Sequence, residues 1–364
     1  MRRHPRLSTA LTAACTTAAL TAGCTSVAAP PEPDGPATVR SSPVGVQVQA
    51  WLFPGSANDP QCAAQQEYHD GRLKQGALKP EYWKVNPDGR LALETTAEGL
   101  CNAYSRANVA DLKAHSAQQY PTLSGMTTAD VHALVSNATR RHEAVQQLTG
   151  LARSEDLSGV DVDLEDFWSW SRDDFADYLT FLTELVGSLH GAGKRLQVDA
   201  PPMVEDAAWY DYAKIAGTGV DDVVIMAYDL QFESSPGSTA QPIAPYKWLE
   251  KVVRYARSKV PDPDRLVIGL PSYGYSAPAK FDPDKVTGSI PFSVMRNKPG
   301  WSGDATTIEQ RRDASSGEIR WTSGSVLYDY VDATALDRKV RAVTDLGVKK
   351  VSVWTLGGNP WFSH

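Results

Sequence analysis

The stretch LSGVDVDLEDF, residues 157–167, alternates acidic with aliphatic side chains, so that single aliphatic residues separate Asp161, Asp163 and Glu165. Side chains in a β-strand point alternately to opposite faces. The three carboxyl groups therefore share one face of a predicted strand. In a barrel of parallel strands, the aliphatic face packs against helices and the acidic face lines the barrel axis. Glu165 then lies nearest the C-terminal mouth, where barrel active sites are found.

Two other interpretations of this pattern remain open. An exposed edge strand also alternates acids with valine, and carboxylates bind Mg²⁺ or Ca²⁺, although the flanking residues lack the ligand spacing of a cation-binding loop. Inside a barrel, the crowding of like charges raises the pKa of at least one carboxyl group. A carboxylic acid that stays protonated near neutral pH suits general acid catalysis.

The rest of the chain alternates short β-branched runs with longer helical patterns. Strands are predicted at 45–53, 118–125, 158–165, 194–202, 220–229, 264–274 and 348–358, with a weaker eighth at 90–94. Helices are predicted at 137–154, 171–194, 244–260 and 332–347. This order predicts an α/β fold, a (β/α)8 TIM barrel with a small insertion, residues 275–331, between strands seven and eight. A doubly wound open sheet is the alternative, but no glycine-rich phosphate loop follows the first strand.

Composition and charge restrict the functional class. The chain has 364 residues, of which 42% are hydrophobic and 22% charged, with a formal net charge of -7. Because no block rich in lysine and arginine is present, the sequence does not predict a nucleic-acid partner.

The N-terminal region predicts export. A basic start and an apolar, small-residue run ending in LTAGC indicate a signal peptide over residues 1–24. LTAGC resembles a bacterial lipobox, although Thr21 occupies the position where leucine is usual, so Cys24 is the predicted lipidation site. Residues 25–43 are rich in proline, serine and alanine and predict a disordered tether before a catalytic domain at 44–364. The predicted location is the outer face of the membrane, held only by a lipid anchor; ordinary secretion is the alternative.

The remaining cysteines, Cys62 and Cys101, are predicted to form a disulfide, as expected in an exported chain, with two unpaired thiols as the alternative. Their spacing fits no metal motif, and no two histidines have zinc-binding spacing. We therefore predict neither a metal nor a cofactor.

Four motifs in order resemble glycoside hydrolase family 18, the chitinase-like family. They are SGVDVDLE at 158–165, IMAYD at 225–229, GLPSYGY at 269–275 and VSVWTLGG at 351–358. The resemblance covers about residues 45–364 and is greatest to the bacterial branch that acts on cell-wall and spore-cortex glycans. One departure is Ser158, which stands where the family signature begins with aspartate. We expect it to alter the proton relay behind Glu165.

The resemblance implies a role for each matching residue. Glu165 would be the general acid and then the base, and Asp163 would orient the substrate acetamide, which acts as the nucleophile in this family. Asp161 would buffer Asp163, and Tyr228 would hydrogen-bond the acetamide oxygen.

Further residues are expected to bind the sugar. The resemblance implies substrate contacts for Asp229 and Met226 and a hydrophobic floor at Trp354. Asp199 and Tyr273 are predicted to line the cleft, with a structural hydrogen bond as the alternative for each.

The sequence therefore predicts a retaining glycosidase. Its partner would be a polysaccharide or oligosaccharide that contains β-linked N-acetylglucosamine, of the peptidoglycan or chitin type. A lectin-like protein that binds sugar without cutting it is the first alternative, and an envelope scaffold is the second.

Overall fold

A computed structural model describes residues 43–363. The predicted signal segment with Cys24, and the tether up to residue 42, lie outside the described residues. The strands are β1 Gln47–Leu52, β2 Ala77–Val85, β3 Leu91–Leu93, β4 Gln118–Gln119, β5 Thr122–Gly125, β6 Gly159–Leu164, β7 Arg195–Ala200, β8 Asp222–Met226, β9 Leu266–Pro271, β10 Gly274–Pro278, β11 Ile319–Ser323, β12 Val326–Tyr330 and β13 Lys350–Trp354. The helices are α1 Ala64–Tyr68, α2 Arg106–His115, α3 Thr128–Val135, α4 Ala138–Ser154, α5 Arg172–Gly191, α6 Tyr212–Gly217, α7 Tyr246–Lys259, α8 Phe292–Met295, α9 Ala305–Gln310 and α10 Ala333–Thr344.

Eight parallel strands close into the predicted barrel. Neighbours follow the order β1, β2, β5, β6, β7, β8, β9 and β13, and β13 pairs with β1 to complete the ring. In-register pairs such as Ser124 with Asp163 align the strands at the mouth. The fold class predicted from the alternating pattern is confirmed.

The helices cover the barrel with their apolar faces, as the long helix α5 illustrates. Ser171 begins α5 with a capping box, in which its hydroxyl accepts from the Asp174 amide and the Asp174 carboxylate accepts from the Ser171 amide. The buried face recurs every three or four residues, at Phe175, Tyr178 and Leu182. All four predicted helices are present, with small shifts at their ends.

The strand predicted at 90–94 is present, but its assignment as the eighth barrel strand was wrong. Residues 91–93 form only the short strand β3, antiparallel to β2, and β2 itself is the missing barrel strand. The apolar pattern of β2 is interrupted by Lys79, Pro80 and Glu81, so hydrophobic periodicity does not identify this segment as a strand. Lys79 and Glu81 are nevertheless part of the barrel, and both belong to the site described below.

Between β9 and α10, the chain forms the predicted insertion, which contains a three-stranded antiparallel sheet in the order β10, β12, β11. Glu318 is fully buried where this segment meets the barrel helices. Its carboxylate accepts from the amides of Ile243 and Ala244, at 2.8 and 2.9 Å, and pairs with Lys339 Nζ at 2.8 Å. These contacts satisfy the buried charge and attach the insertion to the barrel.

Two further features concern the chain outside the barrel core. Cys62 and Cys101 are joined by a disulfide, which links the segment after β1 to the segment before α2. Within residues 43–363, no helix combines the length and the apolar character needed to cross a bilayer.

Candidate active site

The acidic strand β6 lies inside the barrel, as its alternation predicts. Asp161 is fully buried, Asp163 is 6% exposed, and Glu165, immediately after the strand, is only partly covered. Since a strand advances about 3.3 Å per residue, alternate carboxyl groups are carried about 6.6 Å apart along the axis. The three acids therefore form a column that ends at the open mouth.

A buried lysine lies at the base of this column. Lys79 Nζ lies 2.7 Å from Asp161 Oδ1 and 3.2 Å from Asp199 Oδ1, and all three side chains are fully buried. Asp161 Oδ2 also accepts from Thr122 Oγ1 at 2.9 Å and from Trp51 Nε1 at 3.3 Å. The ammonium compensates the buried negative charge, which would otherwise be very costly.

Asp199 is a member of this buried network and does not line the open cleft. Burial raises the pKa of the Asp199 carboxyl well above its usual range, the negative charge of Asp161 adds to this, and Lys79 opposes it. The structural hydrogen bond that the sequence left as the alternative is thus present, because Lys79 donates to Asp199.

The two upper carboxyl groups share an environment that favours bound protons. Burial, followed by the charge of Glu165, raises the pKa of Asp163 well above its usual range. Burial also raises the pKa of Glu165 to about 7, and Asp229 and Glu81 add to the shift through their charges. Asp163 Oδ1 is buried and has no hydrogen-bond partner within the described residues. These shifts favour a bound proton on the pair near neutral pH, and Asp163 Oδ1 is left without a protein partner.

Glu81 is a site residue that the sequence analysis missed. It lies on β2, its Oε1 accepts from Ser124 Oγ at 2.6 Å, and burial raises its pKa to about 7. Its charge acts on both Asp163 and Glu165. Recognising β2 as a barrel strand would have placed Glu81 beside the acidic column.

At the mouth of the barrel, just after strands β8 and β9, lie Tyr228, Asp229 and Tyr273. The Tyr273 hydroxyl donates to Asp229 Oδ1, which also accepts from Gln231 Nε2 at 2.9 Å. The rings of Tyr228 and Tyr273 meet edge to face, with centroids 6.3 Å apart. Tyr273 is almost fully buried and therefore orients Asp229 from behind. Met226 is buried at the end of β8, directly before this group.

Trp354 ends β13 and remains partly exposed. Its ring meets that of Trp51 edge to face, with centroids 5.7 Å apart, and its Nε1 lies 3.3 Å from Ser289 Oγ of the insertion. Trp51 is buried and lies beneath the Lys79 ammonium, 3.9 Å from the ring centroid. Trp354 thus lies above a packed aromatic layer with part of its surface free.

Ser158 has no part in the acidic column, which corrects the expectation of an altered proton relay. Its Oγ accepts from the Gln119 amide at 3.1 Å, beside the N-terminal start of β6. It lies seven positions before Glu165, and it shares the alternation of the aliphatic residues that face the helices. Asp166 also points away, because its Oδ2 accepts from the amide and hydroxyl of Thr128 at the start of α3.

Exposed apolar side chains gather around the mouth. Within residues 43–363 the large exposed hydrophobic residues are Val44 and four others, Phe53, Met126, Trp168 and Val204. Each of the four lies in the connection that follows a barrel strand. Trp168 is 41% exposed and lies three residues after Glu165. Sequence periodicity cannot identify such residues, because they belong to loops rather than to a periodic element.

The model of glycosyl hydrolases family 18 matches residues 83–359 of the chain. The chain belongs to this family. In the family 18 barrel described here, the acidic column, the Tyr228–Asp229 pair and Trp354 all lie within the matched region.

Several individual proteins are similar to the chain. It is 31% identical over 253 residues to a putative sporulation-specific glycosylase, YdhD, of Bacillus subtilis, a match that covers 66% of this chain and 57% of the relative. The chain thus spans little more than half the length of that protein. The structures of a chitinase from Chromobacterium violaceum and of the Bacillus cereus spore cortex-lytic enzyme SleL each superpose with a TM-score of 0.66. The identities are 20% and 18%, and the matches cover 86% and 87% of this chain and 95% and 72% of those chains.

Proposed function

We propose that the protein is a retaining glycoside hydrolase that cleaves β-linked N-acetylglucosamine-containing glycans, of the peptidoglycan or chitin type, with Glu165 as acid and base. The observation that carries the proposal is the pairing of Glu165, whose pKa is about 7, with Asp163, which has a buried oxygen without a partner. A protonated carboxyl at an open mouth can donate to a glycosidic oxygen. The free Asp163 oxygen can accept the N–H of an acetamide group.

The first step uses one proton and one internal nucleophile. Glu165 protonates the glycosidic oxygen while the acetamide oxygen of the sugar attacks C1, so that the C1–O bond breaks and a cyclic oxazolinium ion forms. The acetamide N–H favours the ionised form of Asp163, because a hydrogen bond to a charged carboxylate stabilises the charge. Substrate binding therefore favours an ionised Asp163 together with a protonated Glu165.

The second step returns the enzyme to its starting state. The Glu165 carboxylate takes a proton from water as the water oxygen attacks C1 and opens the oxazolinium ring. Two displacements at C1 retain the β configuration. Tyr228 would hydrogen-bond the acetamide oxygen, and Asp229, oriented by Tyr273, would bind a sugar hydroxyl. Met226 and Trp354 would support the sugar ring from below, and Asp161 with Lys79 would fix the charge beneath Asp163.

Participation of the acetamide can be tested directly with matched substrates. The enzyme is expected to cut a chitin oligomer and to leave its fully deacetylated counterpart intact, because the deacetylated sugar lacks the internal nucleophile. Proton NMR at early times is expected to show the β anomer at the new reducing end. Equal cleavage of both oligomers, or an initial α product, would contradict this mechanism.

The pH profile follows from the raised pKa of Glu165. The first step needs protonated Glu165, so kcat/KM should fall as pH rises through about 7. Replacing Glu81 by Gln removes a negative charge that helps to raise this pKa, and the alkaline limb should therefore move to lower pH. The matched control is Glu205→Gln, an exposed acid in the loop after β7, which should leave the limb in place. A limb that moves upward in Glu81→Gln would refute the assignment.

Trp168 is expected to provide a stacking surface for a sugar. Aromatic faces suit the C–H-rich faces of sugar rings. Replacing Trp168 by Ala should raise KM about ten-fold, equivalent to about 1.4 kcal/mol, with kcat nearly unchanged. Steady-state kinetics on a soluble oligomer measures both constants. If kcat falls and KM does not change, Trp168 supports the catalytic loop instead of the substrate.

We further propose that the chain is exported and held at the outer face of the membrane through Cys24. The N-terminal sequence supports export, and a disulfide between Cys62 and Cys101 suits an oxidising compartment. Mass spectrometry of the mature N-terminus would distinguish a lipidated Cys24 from cleavage of the signal peptide without lipidation.

A further inference from the structure

A cluster of possible metal ligands lies on the outside of the barrel, where His69, Asp111 and His115 converge. His69 directly follows α1, and the other two lie one turn apart at the end of α2. Within residues 43–363, the hydrogen bonds and ion pairs of these three side chains are to Tyr68, to each other and to the Asp111 carbonyl oxygen, and none reaches the acidic column. The cluster therefore has no part in the proposed reaction.

The geometry of the three side chains approaches that of a coordination site. His69 Nε2 lies 2.8 and 2.9 Å from the two carboxylate oxygens of Asp111, and His115 Nδ1 lies 3.3 Å from Oδ1. One ligand atom from each residue falls within 4.8 Å of the other two. Donors bound to tetrahedral Zn²⁺ at about 2.0–2.1 Å are about 3.3 Å apart. His115 Nδ1 also lies 2.8 Å from the Asp111 carbonyl oxygen, so binding an ion between the three ligands requires His115 to give up that hydrogen bond.

The surroundings hold the ligands in position. The buried Tyr68 donates its hydroxyl to Asp111 Oδ2 at 2.5 Å, the kind of outer hydrogen bond that orients a ligating carboxylate. Gln65 Nε2 donates to Asn108 Oδ1 at 3.0 Å and thereby ties α1 to α2. The two imidazole rings stack with centroids 4.1 Å apart. The ligands are thus pre-positioned by two helices that are joined to each other.

Exposure leaves the cluster open to an ion and to water. The side chains of His69, Asp111 and His115 are 44%, 27% and 29% exposed. Two imidazoles and one carboxylate form a ligand set typical of zinc, and solvent can supply the fourth position. Hard cations such as Mg²⁺ prefer oxygen ligands and octahedral geometry. We propose that His69, Asp111 and His115 form a surface site for Zn²⁺ that ties α1 to α2.

The test is a calorimetric titration of the chelator-stripped protein with ZnCl2. One equivalent should bind, and His69→Gln and His115→Gln should each weaken binding at least ten-fold. The matched control is His190→Gln, because His190 pairs with Asp221 at 3.0 Å and belongs to no three-ligand cluster among the described residues. Mg²⁺ should give no comparable heat. The same Zn²⁺ affinity in the wild type and in both ligand variants would overturn the proposal.

A second variant guards against an effect of misfolding. Tyr68→Phe keeps all three ligands and removes only the hydroxyl that holds Asp111. It should bind Zn²⁺ more weakly by about ten-fold. Zinc should raise the melting temperature of the wild type and of His190→Gln, but not that of His115→Gln. An equal rise in His115→Gln would show that the ion binds elsewhere.

Discussion

Replacing Glu165 by Gln should lower kcat by about 10²–10⁴-fold, the usual contribution of a positioned acid and base. Glutamine has the size of glutamic acid but neither donates a catalytic proton to the leaving oxygen nor accepts one from water. Folding should not suffer, because burial raises the pKa of Glu165 to about 7 and the neutral side chain avoids the cost of a buried charge. The wild type should lose stability relative to the variant as pH rises from about 4.5 to about 7, where the folded protein still holds the proton and the unfolded chain does not.

Glu205→Gln is the matched control, since it makes the same chemical change at an exposed position on the same end of the barrel. Its kcat should equal that of the wild type. Reducing-end assays on a chitin oligomer and on peptidoglycan measure turnover for all three proteins, and urea titration measures stability. An unchanged rate in Glu165→Gln would remove this residue from catalysis. It would also rule out the proposed mechanism.

Replacing Lys79 by Met should destabilise the fold by about 3–5 kcal/mol, the usual cost of removing one partner from a buried ion pair. Lys79 lies 2.7 Å from Asp161 and 3.2 Å from Asp199, and the substitution leaves both carboxyl groups buried without a cation. The loss should be smaller at pH 5 than at pH 8, because burial raises the pKa of Asp199 well above its usual range, so at low pH this carboxyl group can bind a proton in place of the missing charge.

The same strand provides the control. Lys84 is 52% exposed and pairs with Glu94 at 2.7 Å, and an exposed pair contributes only about 0.2–1 kcal/mol. Lys84→Met should therefore change the free energy of unfolding far less than Lys79→Met. Urea unfolding at pH 8 and pH 5 gives both values. Equal losses in the two variants would mean that the buried lysine does not compensate the acidic column.

The local sequence pattern was sufficient to predict most strands and helices of the barrel. On β6 the period of two and the position at the end of the run together place Glu165 at the mouth. The helix α5 is marked by its Ser171 cap and its apolar period. The position of Ser158 away from the acidic column could also have been predicted from the alternation of side chains, because the even-numbered residues of this strand face the helices.

The failures have a physical cause in the barrel interior. A strand that faces an acidic column carries charged residues where an ordinary core strand carries aliphatic ones. Because Lys79 and Glu81 occupy such positions, the sequence of β2 does not match the pattern of a buried strand. Asp199 illustrates a second limit. Its position on a strand can be predicted from the sequence. Whether its carboxyl group lines the cleft or pairs with a buried lysine, however, depends on Lys79, which is 120 positions away. No local pattern contains that information.

Digestion of purified peptidoglycan and of a chitin oligomer, with new reducing ends quantified and products weighed by mass spectrometry, tests the proposed activity most directly. We expect new reducing ends at N-acetylglucosamine from at least one substrate, and none from either with Glu165→Gln. Cleavage of peptidoglycan alone would assign the protein to cell-wall glycans, and cleavage of the oligomer would assign it to the chitin type. Binding of both substrates with no cleavage of either would contradict a hydrolase and would instead identify a sugar-binding protein on the same barrel.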